Sequence, residues 1–231
     1  RAPPTAADRA TPERELRVVG TPFRRVDGRA KVTGQTRFTD DLAFPRQAFV
    51  KLVRSTIPHG RIRSIDLSRA AALPGVLGFL TGKDLPTTFG ILPVSQDEHP
   101  LAREIVRHVG DPVVAVAATS EDAAQAAALR VEVDYEPLDV VEDPFAAMQP
   151  DSELVHEDQG TNVMMQRVFT WGEVDAALAG AAHTFTERFR WNRLGANPTE
   201  TYGCVCEWDP MSLDIVVRGA NTGEALYGGC V

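Results

Sequence analysis

Side chains able to do chemistry gather in a few places. Asp97-Glu98-His99 sets two carboxylates beside an imidazole, the donor types of a metal corner. Its acidic, proline-bearing surroundings read instead as solvated loop. Glu200, in Asn197-Pro198-Thr199-Glu200-Thr201, stands just ahead of a strand. A general base can sit at such a place in principle, but nothing in the sequence marks a raised carboxyl pKa. Cys204 and Cys206 lie two apart in Tyr202-Gly203-Cys204-Val205-Cys206-Glu207-Trp208. A strand would put both thiols on one face with Tyr202 and Trp208, where they read as buried groups packing as small apolar side chains. Cys230 is the third cysteine, so the chain has no paired framework, no second ligand pair to complete a structural zinc site, and fewer than the four cysteines an iron–sulfur cluster normally needs. His59, in the turn Ser55-Thr56-Ile57-Pro58-His59-Gly60, and His183, on an aromatic stretch, read as structural hydrogen-bonders. No Walker loop, G-x-G-x-x-G, G-x-S-x-G or H-E-x-x-H motif occurs. The residue pattern singles out no catalytic and no metal-binding side chain.

The elements that must position these groups are legible from periodicity. Residues 1–19 read as a flexible tail with three prolines and mixed charge. Two glycines punctuate Val26 to Gly34, and a strand is expected around residues 35–39. Strands are expected at 48–54, 61–66 and 76–80, with a brief helix at 69–73 capped by Ser68. Residues 84–100 read as loop. Residues 105–109 are strand-like, and Val113–Ala118 is a continuous apolar strand. Ser120, with Glu121 and Asp122 in the first turn, starts an alanine-rich helix that runs to Leu129. Val131, Val133 and Tyr135 then alternate with acids as in a half-buried strand. This strand–helix–strand order is the unit of an α/β layer. Residues 146–164 carry acids and Pro150 without apolar period, and read as a linker. Beyond it come a helix at 172–182, an alternating aromatic strand at 183–191 and a hairpin from 204–208 and 213–218.

Composition narrows the function classes. With 231 residues, 43% hydrophobic and 24% charged, the chain has the makeup of a globular protein able to bury a core. The net charge of -8 and the lack of any basic run argue against a nucleic-acid partner. No apolar run approaches the ~20 residues needed to span a bilayer, so no membrane partner is expected.

The order of short motifs carries more than any one of them. Val26-Asp27-Gly28-Arg29-Ala30-Lys31-Val32-Thr33-Gly34 is followed by Asp40-Asp41-Leu42, Arg54-Ser55, His59-Gly60-Arg61-Ile62 and Ile65-Asp66. Leu73-Pro74-Gly75-Val76, Thr81-Gly82-Lys83-Asp84-Leu85, Val106 to Val113 and Val131 to Leu138 complete the series. In this order they resemble the N-terminal part of the large subunit of molybdenum hydroxylases, the xanthine dehydrogenase, aldehyde oxidase and CO dehydrogenase family. The resemblance implies an α+β chain: an α/β hammerhead domain at residues 20–145, then, at 165–231, the start of a molybdopterin-binding α+β domain.

What else the resemblance implies is a list of expectations. The cofactor would be molybdenum-molybdopterin, held by the complete large subunit. The reaction would be hydroxylation or dehydrogenation of a small organic substrate, with oxygen from water. Electrons would leave through iron–sulfur clusters, and FAD in some members, on partner subunits. The remainder of the large subunit would be a further partner, and the location cytoplasmic. Gly219, Ala220 and Asn221 fall where the family approaches its cofactor. Ala220 stands about where many members place a glutamine near the metal, which is a departure. The family's glycine-rich loop and base glutamate would lie beyond Val231, so the chain is expected to be a fragment, a truncated product or one half of a split subunit. Residues 91–99 with Leu101-Ala102 resemble the hydroxybenzoyl-CoA reductase branch at the level of one loop. The competing expectation is a non-catalytic assembly or interaction module derived from the same family.

Overall fold

The computed structural model describes residues 18–90, 96–192, 194–195, 197 and 200–220. The chain is α+β. Its elements are α1 (Gly28–Val32), β1 (Phe49–Arg54), β2 (Gly60–Asp66), α2 (Ser68–Ala71), β3 (Val76–Thr81), β4 (Ile105–Val106), β5 (Pro112–Ala118), α3 (Glu121–Ala128), β6 (Glu132–Pro137), α4 (Pro144–Ala147), α5 (Val174–Ala179), β7 (Gly203–Asp209) and β8 (Asp214–Ala220). Contacts divide them into two compact units, one joining residues up to 42 to those from 197 and the other running from 43 to 196.

The larger unit holds two three-stranded sheets, ordered β1-β5-β3 and β4-β2-β6, with every pair antiparallel. The β5 sequence PVVAVAA is apolar throughout because β5 is the central strand. Val114, Val116 and Ala118 share one face, pair with Val53, Lys51 and Phe49 of β1, and are fully buried. Helix α3 packs across β1, β5 and β3. It can approach closely because the buried positions it offers, Ala124 and Ala127, are small. Its start follows the expected chemistry: the Ser120 side chain accepts from the Ala123 N–H at 3.2 Å. Ala70 of α2, Val106 of β4 and Val113 complete the buried cluster, with Ile62, Ile65, Val133 and Tyr135 packed against it.

Several expectations change. The strand–helix–strand run does not build a parallel layer: β5 and β6 belong to different sheets, and α3 carries the chain between them. No strand forms at 35–39. The backbone makes a 3-10 turn at Thr39–Asp41 instead, closed by the Asp41 carboxylate accepting from the Phe38 N–H at 2.9 Å. Ser68 begins α2 as a helical residue, and Asp66 caps the turn by accepting from the Ser68 N–H at 2.8 Å. The stretch expected as linker contains α4 and a 3-10 turn at Glu157–Gln159. Just ahead of α4, the Asp143 carboxyl is held below the usual carboxylate range by the Phe145 and Ala146 N–H groups. Residues 183–191 are not a strand, for no strand among the described residues pairs with them. Phe185, Phe189 and Trp191 stand 87%, 79% and 81% exposed, and His183 is exposed too. Within the smaller unit the Thr39–Asp41 turn packs on β7 and β8.

Two glycines of β3 and its following turn make opposite demands. A Cβ on Gly82 would lie 2.6 Å from the Ala102 carbonyl oxygen and 2.7 Å from that of Leu101, whereas one on Gly78 meets nothing within 4 Å. Gly82→Ala is therefore expected to cost about 1–3 kcal/mol in urea unfolding, as overpacking does. Gly78→Ala should leave the midpoint unchanged or raise it. Equal effects of the two substitutions would contradict the close approach at Gly82.

Candidate functional site

The residues expected to approach a cofactor lie at the end of the β7–β8 hairpin. Gly219 pairs with Cys204, and Ala220 with Gly203. Asn221 lies outside the described residues. The hairpin turns at Asp209, whose carboxylate accepts from the Met211 N–H at 2.9 Å and the Ser212 hydroxyl at 3.1 Å, which lowers the Asp209 pKa. At the opposite end the strands come unusually near. A Cβ on Gly219 would lie 2.8 Å from the Gly203 carbonyl oxygen, and one on Gly203 would lie 3.2 Å from the Thr39 methyl. Gly203 and Gly219 thus let the two main chains meet without a Cβ between them.

Glu200 belongs to this corner. One of its carboxylate oxygens accepts from the Thr39 N–H at 3.1 Å and from the Thr39 hydroxyl at 3.4 Å. The sequence raised Glu200 only as a general base; the structure makes it a tie to a segment 161 residues away. Nothing in the local pattern points to Thr39 as its partner. Cys204 and Cys206 are reduced thiols and both exposed, so the buried setting expected for them does not hold. Tyr202 and Trp208 are likewise more than half exposed.

A second concentration of chemistry lies in the larger unit. Asp97, Glu98, His99, Arg103, Glu104, Arg107, His108, Asp111 and His156 line a cleft of about 480 Å³. His99 is not a fully solvated loop residue: it is partly buried, and its Nδ1 is shielded from water without a hydrogen-bond partner among the described residues. His156 belongs to this lining, and its neighbours Val155 and Gln159 are hydrogen-bonded to side chains of it. Arg107 Nε donates to the Val155 carbonyl at 2.8 Å, Gln159 Nε2 donates to Asp97 at 2.6 Å, and Arg61 faces Glu157 at 3.6 Å. Despite the three imidazoles, no group of three or more His, Cys, Asp or Glu side chains is placed to hold a metal ion among the described residues. His59 is 6% exposed and its Nδ1 lies 2.6 Å from the Asp139 carbonyl, the structural role expected of it. Nearby, burial raises the Tyr135 phenol pKa. No helix of the described residues is long and apolar enough to cross a membrane.

Comparison with known proteins gives two family matches in chain order. Residues 33–139 match the aldehyde oxidase and xanthine dehydrogenase a/b hammerhead domain, and residues 155–223 the molybdopterin cofactor-binding domain. A probable xanthine dehydrogenase subunit of Bacillus subtilis is 36% identical over 81% of this chain and 25% of its own length. The carbon monoxide dehydrogenase large chain of Afipia carboxidovorans is 35% identical over 94% of this chain and 28% of its own. The crystal structure of a Cu,Mo-CO dehydrogenase in its carbon monoxide reduced state superposes with a TM-score of 0.75 at 34% identity. It covers 87% of this chain and 27% of that one. The chain thus spans about a quarter of the length of these relatives.

The hairpin corner yields one direct test. Gly219→Ala places a methyl group against the Gly203 carbonyl and is expected to destabilise the β7–β8 pairing by about 1–3 kcal/mol. Amide hydrogen exchange should quicken across β7 and β8 while β5 keeps its protection. Unchanged exchange in the hairpin would show that the methyl group is accommodated with the pairing intact.

Proposed function

The chain belongs to the molybdenum hydroxylase family, as the N-terminal part of its large subunit with the α/β hammerhead domain, and we propose that it serves a molybdenum-dependent oxidoreductase. The observation that carries this reading is the succession, in one chain, of the hammerhead match and the molybdopterin-binding match. The activity is hydroxylation or dehydrogenation of a small organic substrate, with electrons passed to iron–sulfur and flavin groups on partner subunits. The two exposed thiols suit a reducing compartment, in keeping with a cytoplasmic enzyme.

The residues present fit molybdopterin in one specific respect. Near the carboxyl end of β8 the main chain of Gly219 has no room for a Cβ, because the Gly203 carbonyl stands across from it. Gly219 and Ala220, followed by Asn221, are the residues of this chain that would hold the cofactor, through backbone groups. When bound, the cofactor supplies the two-electron oxidation, and this chain's part is to bind and orient it. Ala220 brings no amide side chain to that place, so hydrogen bonding there falls to the backbone and to groups elsewhere in the subunit.

The test is metal and pterin analysis of the full large subunit, purified in its native assembly, with dye reduction by an aldehyde, an N-heterocycle, carbon monoxide and an aromatic thioester. Stoichiometric molybdenum and turnover of one substrate class are expected. An assembly that carries neither molybdenum nor pterin would favour the assembly-module reading.

A further inference from the structure

We propose that Glu200 is a positioning residue: with Thr39 it forms a clamp that fixes the carboxyl end of β8, where the cofactor would be met. This rests on the molybdopterin reading above for its consequence, but its geometry stands on the described residues alone. Glu200 precedes β7 by three residues. Its carboxylate oxygen accepts from both the N–H and the hydroxyl of Thr39, at 3.1 and 3.4 Å. The Thr39 methyl lies against Gly203, 3.2 Å from where a Cβ would stand, with Asp40 Oδ1 at 3.9 Å. Gly203 in turn pairs with Ala220, and its carbonyl blocks any side chain at Gly219. Each contact hands a position to the next, from Glu200 through Thr39 and Gly203 to residues 219–220.

The chemistry explains why an acceptor is needed here. The Thr39–Asp41 turn is one 3-10 turn, and at its start the Thr39 N–H has no place in the turn's own hydrogen bonding. A carboxylate satisfies that donor and the adjacent hydroxyl with one oxygen. The negative charge of the acceptor strengthens both bonds relative to a neutral one, at lengths of 3.1 and 3.4 Å. The turn has its own internal lock from Asp41 to the Phe38 N–H, so it presents Thr39 as a formed object to the hairpin. Glu200 therefore acts at a distance from the cofactor, through Thr39 and Gly203, and not as a proton carrier.

The experiment compares Glu200→Ala, Glu200→Gln and wild type in the full large subunit within its assembly. Glutamine keeps an acceptor oxygen for both Thr39 donors; alanine keeps none. Molybdopterin content should fall by about tenfold in Glu200→Ala, as for losses of supporting residues around metal sites, and stay at the wild-type level in Glu200→Gln. Hydrogen exchange should quicken by about tenfold across β7 and β8 in Glu200→Ala, with β5 unaffected, which separates local loss of position from global unfolding. The proposal is overturned if Glu200→Ala leaves hairpin exchange unchanged, or if Glu200→Gln loses as much cofactor as Glu200→Ala. Should wild type itself carry no pterin, the cofactor reading fails, and the exchange measurement alone still decides the clamp.

Discussion

Strand β5 is bonded along both edges, to β1 and to β3. A strand so placed can face water only through its sheet faces, and α3 covers one of them. Everything else in the larger unit follows from that burial. Its run of valines and alanines is a consequence, since any polar group there would need a partner that the packed helix cannot supply. The alanine face of α3, the capped turn at Ser120 and the tight passage of Gly82 beneath Leu101 and Ala102 are the terms on which neighbours reach it. The other face of the same sheet carries Val50, Leu52 and Leu80, all still well exposed.

The sequence was a good guide where a segment's neighbours are close along the chain or its burial is complete. The apolar run of β5, the cap of α3 and the turn at Asp209 each rest on local chemistry, and each formed as read. Residues 183–191 have the alternation of a strand, yet alternation only says which face would be buried. Pairing requires a neighbour, and none among the described residues is bonded to them. The same limit applies to Cys204 and Cys206, whose shared face was legible but whose cover was not. β5 and β6 flank a helix in the pattern of a crossover, but the pattern cannot tell one sheet from two.

The candidate site was legible only in part. Gly219 and Ala220 were reached through family resemblance, since nothing in a Gly-Ala dipeptide announces a ligand. The structural reason for the glycine, a carbonyl across the hairpin, is a cross-strand fact. Glu200 was noticed for its carboxylate but not for its partner, because the partner lies in a different part of the sequence. His99 was set aside with its acidic neighbours, whereas folding places it at the wall of a cleft that His156 also lines.

That long reach has a temporal side. Among the described residues the smaller unit is written in two pieces, with residues 43–196 of the larger unit between them in the sequence. Thr39 leaves the ribosome 161 residues before Glu200 does. At synthesis rates of ~5–20 residues per second that is a wait of roughly 8–32 s, long against the folding time of a small domain. During the wait β1 through β6 can pair and close, while the turn at Thr39–Asp41 has no hairpin to receive it. Strands β1 to β6 can therefore pair before Glu200 is available to Thr39.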